Sequence, residues 1–459
     1  MRRAATRAVA TALAGAALGT LPPTRANDWP MLGGRPDRNQ VAAESGLPVE
    51  WREGGPKDGR NLRWVAPLGR VTYGSPVIAG GRVFIGTDRS ADEGGENHGV
   101  LRCFSERNGR LLWKVEHAKL TDPARDEDSL GICSTPCVDG DRVFYVSNRG
   151  ELVCRQVEDG GLVWMLDMIA SLGVSPNQAS ASSPLVVGDR VFVVTGQGAD
   201  YRTGKVTVPG APSFLALNRQ TGAVLWRDSS PGGNVLTGQW GSPGYGVADG
   251  HPQVVFPGGD GWLYSFEPAM GRLLWKFNGK AHEEPGADGR PATMFNFVAA
   301  PVFLGEQVFV AIGEPEASSG PGALRCLDAR QRGDVTGRAE VWRFGGTNFN
   351  DSISTVAVHE GLLYAADTPG FLNCIEVATG RRVWFHDLLA TVWGSPLVAD
   401  GKVYLQVGDG TVWIFLAGRK KQIVAQINAL SDLAHGTPVA ANGVLYLAGQ
   451  SRLYAIATE

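Results

Sequence analysis

The sequence predicts an all-β chain: an eight-bladed β-propeller of four-stranded antiparallel blades, closed by an N-terminal strand. Three observations predict it. One phrase recurs, as "GSPVIAGGRVFIG" from Gly74, "STPCVDGDRVFYV" from Ser134, "SSPLVVGDRVFVVTG" from Ser182, "GSPLVADGKVYLQ" from Gly394 and "GTPVAANGVLYLA" from Gly436. A second signal follows it: Trp113, Trp164, Trp226, Trp275 and Trp384 each stand four residues after a turn glycine. The last repeat stops at "SRLYAIATE" without its Trp, while "NLRWVAPLG" near the start carries Trp64 with no hairpin before it. Self-similarity at a fixed period signals stacked supersecondary units.

Within one repeat each element has a local cause. In "GSPLVADGKVYLQVGDGTVWIFLAG", Ser395-Pro396 opens a first strand, where a missing N–H is tolerated. Asp400-Gly401 is a hairpin turn before the second strand, Val403 to Val407. Asp409-Gly410 turns into the third, Val412 to Leu416. The Trp-bearing run is the fourth, and four antiparallel strands followed by a new start make one propeller blade. Seven starts carry a proline: Pro76, Pro136, Pro184, Pro243, Pro301, Pro396 and Pro438. An eighth, "SISTVAVHEGLLYAAD" from Ser352, has Val356 instead. From Asn61 onward the repeats average about 50 residues, above the ~40–45 of compact propeller repeats, so the excess is expected in loops. Blade seven departs from the pattern, with Gln422 four residues after Gly418.

Three segments follow from this: residues 1–26, 27–60 and 61–459. The first reads as a secretory signal peptide, with Arg2, Arg3 and Arg7 before an Ala/Leu run and small residues at Thr24 and Ala26. The run is short of the ~20 residues needed to span a bilayer. An exported protein, periplasmic or extracellular, is expected, with no integral membrane segment after cleavage. Residues 27–60 form an N-terminal arm. The 459 residues include 62 Gly and carry a net charge of −3 with no long run of one sign, which excludes the electrostatic footprint of a nucleic-acid binder. A monomer is expected.

Loop lengths are unequal. The first hairpin turns, such as Gly80-Gly81 and Asn442-Gly443, are tight. The opposite face carries "TDRSADEGGENHG" from Thr87, "TGQGADYRTGKVTVPGAPS" from Thr195, "VEHAKLTDPARDEDSLGI" from Val115 and "FNGKAHEEPGADGRPATMFNF" from Phe277. Long loops on a rigid scaffold are where binding concentrates. At the start of each first strand, Tyr73, Cys133, Ala181, Trp240, Val298, Ser352, Trp393 and His435 are expected to ring the channel mouth. Gln239, Asn296, Asn350 and Asp351 lie within two residues of that ring. Aromatic walls with a few polar groups suit a flat ligand; the alternative is that Trp240 and Trp393 fill the channel as packing.

Other constellations carry less. Cys103, Cys154, Cys326 and Cys374 occupy one repeat position that holds Ala216, Ser265, Ile414 and Ala455 in other blades, which predicts buried free thiols. Cys133 and Cys137 flank one strand start and are too far apart along an extended chain to bridge. The His282-Glu283-Glu284 cluster and the run Asp122 to Ser129 read as solvated loop charge, and no metal site is expected. No G-x-S-x-G, P-loop or H-E-x-x-H is present.

The repeated Ser/Thr-Pro, the Gly turn, "G-x-L-x-C/A" and "T-G-x-x-x-W" resemble the pyrroloquinoline-quinone-like (PQQ-like) repeat family of eight-bladed propellers. "DWPMLGGRPDRNQ", Asp28 to Gln40, looks like the leader of its secreted planctomycete-type members. That family includes quinoprotein alcohol dehydrogenases and the assembly factor BamB. The resemblance implies two alternatives beside a non-catalytic binding or scaffold protein that presents its long-loop face to a protein or cell-envelope polymer. One is a PQQ- and calcium-dependent dehydrogenase, with Asp351 as its catalytic residue. Family dehydrogenases use a disulfide of adjacent cysteines, and none of the six here are adjacent. The other is BamB equivalence, against which the missing lipid-anchor Cys and the elaborate loops both argue. The binding reading is the expectation.

Overall fold

A computed structural model describes residues 27–53, 60–94, 97–281, 296–313, 320–428, 430 and 432–458. The first segment of the sequence reading, residues 1–26, lies outside them, as does His282-Glu283-Glu284. Eight antiparallel sheets form the ring, each with strands A to D running outward from the axis. In blade 1 these are Val77–Ala79, Arg82–Asp88, His98–Ser105 and Leu111–Ala118. In blade 8 strands A to C are Val439–Ala441, Val444–Ala448 and Arg452–Ile456, and strand D is the N-terminal Leu62–Pro67. Pairing of Trp64 with Ala455 and of Pro67 with Arg452 closes the circle as expected. Closure gives blade 8 its fourth strand and covers Arg452–Ile456, which would otherwise be an open edge.

The Ser/Thr of each start phrase stitches neighbouring blades together at the axis. The Ser75 N–H donates to Thr135 Oγ1 (3.0 Å), Thr135 to Ser183 Oγ (3.0 Å) and Ser183 to Ser242 Oγ (2.9 Å). Ala300 donates to Thr355 Oγ1 (3.2 Å), Thr355 to Ser395 Oγ (2.9 Å), Ser395 to Thr437 Oγ1 (3.0 Å), and Thr437 back to Ser75 Oγ (3.2 Å). These groups are buried. A buried N–H needs a partner, and here each blade supplies it to the one before. The circle is broken once, because blade 5 opens on Ala300-Pro301 and offers Ser242 no hydroxyl.

The Trp of strand D makes a second, outer latch. The indole N–H of Trp64 donates to Glu106 O of blade 1 (2.9 Å), Trp113 to Val157 O of blade 2 (3.1 Å) and Trp164 to Arg219 O of blade 3 (3.0 Å). Trp226, Trp342 and Trp384 reach Pro268, Val377 and Gly418 in the same way. Five of these rings lie on bare backbone: a Cβ on Gly109 would lie 2.6 Å from the Trp64 ring, and Gly160, Gly222, Gly271 and Gly380 repeat this contact under Trp113, Trp164, Trp226 and Trp342. That contact gives "T-G-x-x-x-W" its glycine.

Facing each Trp across the sheet is a small strand-C residue: Cys103 with Trp113, Cys154 with Trp164, Ala216 with Trp226, Cys326 with Trp342 and Ala455 with Trp64. Blade 7 inverts the pair. There Ile414 stands opposite Ala425, so large and small exchange sides and the volume is kept. The residue in register with Trp is therefore Ala425, not Gln422, because the turn after Leu416 is longer.

Blade 5's inserted C–D connection is not an open loop. Gly333–Asp334 adds a parallel fifth strand to blade 4 beside Trp275 and Lys276. Under this cover Trp275 turns its N–H to Gln253 Oε1 (2.7 Å), and Gln253 anchors to Ala329 O.

Two outcomes are expected. Thr355→Val keeps the shape but strands the Ala300 N–H, and should cost about 1–3 kcal/mol, read as a lowered urea midpoint. Trp64→Ala should cost about 3–5 kcal/mol, and deletion through Leu68 should give an aggregating product. A truncated protein that melts like the parent would refute closure by this strand.

Candidate functional site

The arm forms the floor of the site. It runs around the axis and touches all eight blades, meeting blades 1, 2 and 4 to 8 in chain order and reaching back to blade 3 through Arg38. Trp29 pairs with Ile78 of blade 1 (2.9 Å and 3.0 Å), and Pro30 O accepts from Val138 of blade 2 (2.7 Å). Pro36 O and Asp37 O take the N–H groups of Tyr245 in blade 4 and Phe303 in blade 5. Asn39 makes two bonds to Val358 of blade 6, and Val41–Ala42 pairs in parallel with Leu397–Ala399 of blade 7. Glu44 accepts from Asn442 and Gly443 of blade 8. Blade 3 is met by Arg38, fully buried, whose guanidinium donates to Ser183 O and Pro184 O (both 3.2 Å), Pro243 O (2.7 Å) and Leu32 O (3.0 Å). Burial lowers its pKa to about 10, and nearby Cys137 and Asp37 oppose that, so it stays charged at neutral pH. Gly33 and Gly34 let the arm turn tightly against Arg38 and Trp29: both have positive φ, and a Cβ on either would fall within 2.6 Å of those residues.

Above this floor the channel is a cup of about 600 Å³, open toward the long loops. Two eightfold rings line it. The deeper ring is the hydroxyl circle with Ala300 in its one gap; the upper ring is Tyr73, Cys133, Ala181, Trp240, Val298, Ile353, Trp393 and His435. Seven of those eight match the sequence reading. In blade 6 the expected Ser352 is replaced by Ile353, because Thr355 is the ring hydroxyl and its second predecessor faces inward; Ser352 Oγ instead donates to Ala366 O (2.7 Å).

The aromatic residues do not plug the channel. Tyr73 stacks on His435 (4.7 Å between centroids), and Trp393 leans on both, at 6.1 Å and 5.2 Å. Trp393 remains 38% exposed. Across the cup, from the opposite side of the ring, Trp240 is held by a hydrogen bond to Asn177 O (3.1 Å). Burial lowers the pKa of His435, with Asp432 opposing, which keeps the ring neutral at pH 7; its Nδ1 is buried without a hydrogen-bond partner. Burial raises Tyr73, reinforced by Cys133 and Glu127, and pushes Cys133 up to about 12.

The four polar residues expected beside the ring lie elsewhere. Gln239 points away from the axis, as the neighbour of an inward residue on extended chain must. It donates to Gln197 O (2.8 Å) and Ser213 Oγ (2.9 Å) and accepts from Gly259. Asn296 donates to Gly238 O (2.9 Å). Asn350 ends the outer strand of blade 5 and binds Asp367 Oδ2 (2.9 Å). Asp351 is buried beyond the cup wall, its backbone tied to Gly320 and Thr368. None lines the cup.

The sequence reading placed the loop from Val115 on the binding face but missed how it is held over the mouth. Within the run taken as solvated charge, Asp126 is buried: it accepts from Lys119 Nζ (2.7 Å), the Leu120 N–H (2.9 Å) and Asn148 Nδ2 (2.7 Å). Lys119 also donates to Glu127 O (2.6 Å) and Leu130 O, so the clamp holds Glu127, Ser129 and Leu130 against the cup. Neutralisation of a buried carboxylate by a nearby lysine leaves no local sequence signature.

Comparison with known proteins places this architecture. Residues 97–333 and 260–459 match the family described as outer membrane protein assembly factor BamB. The chain belongs to this PQQ-like propeller family. A curated relative is the quinoprotein alcohol dehydrogenase PedH of Pseudomonas putida, 22% identical over 382 residues, 75% of this chain. The chain spans 56% of that relative's length. Among solved structures, BamB from Moraxella catarrhalis superposes with a TM-score of 0.55 at 16% identity, covering 90% of this chain and 97% of that one. A europium-containing methanol dehydrogenase reaches 0.63 at 13% identity, covering 93% and 90%. At these identities the likeness shows the fold.

The quinone cofactor that such relatives suggest meets a poor donor set in this PQQ-like cup. PQQ is a tricarboxylate, and among the described residues no Lys or Arg lines the wall, where Glu127 is the one carboxylate. No group of three His, Cys, Asp or Glu able to hold a metal ion occurs among the described residues. A calcium ion takes six to eight oxygens. The described residues therefore do not fit PQQ with calcium, and no step is derived through them.

All six cysteines are unbridged. Denatured, unreduced protein should therefore titrate about six thiols. Native protein should react slowly, since burial pushes Cys103, Cys133, Cys154, Cys326 and Cys374 up to about 12 and Cys137 to about 11. Two or fewer reactive thiols after denaturation would show bridging.

Proposed function

We propose that this PQQ-like propeller is an exported, non-catalytic binding protein that works through its long-loop face. The observation that carries this reading is the cup itself. It is closed at one end by the arm, open at the other, and lined mainly by seven hydroxyls and a set of aromatic rings, with Glu127 its one carboxylate among the described residues and Asp351 not part of it. General base catalysis requires a titratable group within reach of the substrate proton. Asp351, the residue a dehydrogenase reading would use, is buried beyond the wall.

The partner is a protein or a polymer of the cell envelope. Exposed apolar side chains gather on the same face, with Leu389, Trp393 and Leu433 in the loops entering blades 7 and 8 and Tyr201 and Val208 in the long loop of blade 3. No helix among the described residues is long and apolar enough to cross a membrane.

The test is direct. Purified protein mixed with PQQ and calcium should not oxidise alcohols or sugars with an artificial electron acceptor. Turnover that disappears in Asp351→Ala would overturn the binding reading and establish a quinoprotein dehydrogenase.

A further inference from the structure

Building on the reading of the cup as a binding site, we infer that its ligand is the end of a neutral glycan, one or more uncharged sugar rings inserted from the long-loop face. The argument begins with the hydroxyl ring. Seven side chains, Ser75, Thr135, Ser183, Ser242, Thr355, Ser395 and Thr437, line the deep part of the cup, and all are more than nine-tenths buried. Each oxygen already accepts an N–H from the preceding blade. A hydroxyl is one donor as well as an acceptor. Among the described residues no protein acceptor takes these seven hydrogens, so they are left for an occupant of the cup. The ligand must therefore present several acceptor oxygens in a small volume.

The upper ring adds two further requirements. Trp393 and Trp240 stand on opposite sides, and Tyr73 stacked on His435 extends the aromatic wall. Aromatic side chains on opposite sides of the cup suit a ligand with apolar C–H surfaces and a polar rim, which describes a pyranose. At the rim, Glu127 and Gln178 offer acceptors for sugar hydroxyls. The charge balance excludes the competitors. With Glu127 the one carboxylate and no Lys or Arg on the wall among the described residues, an acidic ligand meets repulsion and no compensating cation there. A quaternary ammonium ligand would suit the aromatic walls but has no acceptor for the seven hydroxyl hydrogens. The cavity of about 600 Å³ lies within the range of small-molecule sites.

Isothermal titration calorimetry on the full chain decides it. Cellotriose, maltotriose, mannotriose and N,N′-diacetylchitobiose are the neutral probes; trigalacturonic acid, choline and PQQ are the comparators. At least one neutral sugar should bind. Trp393→Ala, at the mouth and with no ring contact beyond Tyr73 and His435, should weaken it about tenfold with an unchanged melting temperature, and Trp393→Phe should recover most of the loss. Absence of binding by every neutral sugar, tighter binding of any comparator, or equal affinity in Trp393→Ala would overturn the inference. Silence from the sugars together with a silent dehydrogenase assay would remove the glycan assignment and leave the binding reading standing, whereas quinone-dependent turnover would remove both.

Discussion

The structure depends on a circle of hydrogen bonds that no single blade can make. The inner strands are three residues long in most blades, too short to hold a sheet together at the axis by their own ladders. Each instead hands one buried N–H to a hydroxyl of the next blade, and the donation returns to its origin after eight steps with one link missing. A buried donor without a partner costs more than a formed hydrogen bond gains. The Ser/Thr of the repeat phrase is thus a requirement between blades, written into each blade's own sequence.

The outer latches follow the same logic with different chemistry. A Trp from one blade covers the bare glycine turn of the next and ties its indole N–H to a carbonyl there. The space it needs is made by a small residue directly across the sheet, and a thiol is small enough to recur at that position. Blade 7 shows that the constraint is on volume rather than identity, since Ile414 and Ala425 exchange the large and small roles. Inner circle and outer latches together hold the wall of the cup rigid, which is what a preorganised binding site needs.

The arm turns a channel into a cup. By answering the edge N–H groups of successive inner strands it removes a polar opening on one face, and by burying Arg38 among four carbonyl oxygens it locks itself to the axis. The functional asymmetry of an otherwise repetitive ring then comes from two sources. One is the upper ring, aromatic at blades 7, 8, 1 and 4 and aliphatic or thiol elsewhere. The other is the Asp126 clamp that draws one loop over the mouth.

By itself the sequence determined the blade count, the strand order, the closing strand and most of the upper ring, because each rests on short-range periodicity that repeats eight times. Tyr73, Cys133, Ala181, Trp240, Val298, Trp393 and His435 were legible as ring members by register alone. Only the tertiary structure decided which of their neighbours share the site. Gln239, Asn296, Asn350 and Asp351 are near the ring in sequence and outside it in space, since alternate residues of an extended chain face opposite ways. The arm's circuit, the burial of Asp126 and the parallel strand that blade 5 lends to blade 4 join residues far apart in the chain or paired only by charge. Such contacts are set by where the closed ring brings the chain back upon itself, and no local pattern encodes that.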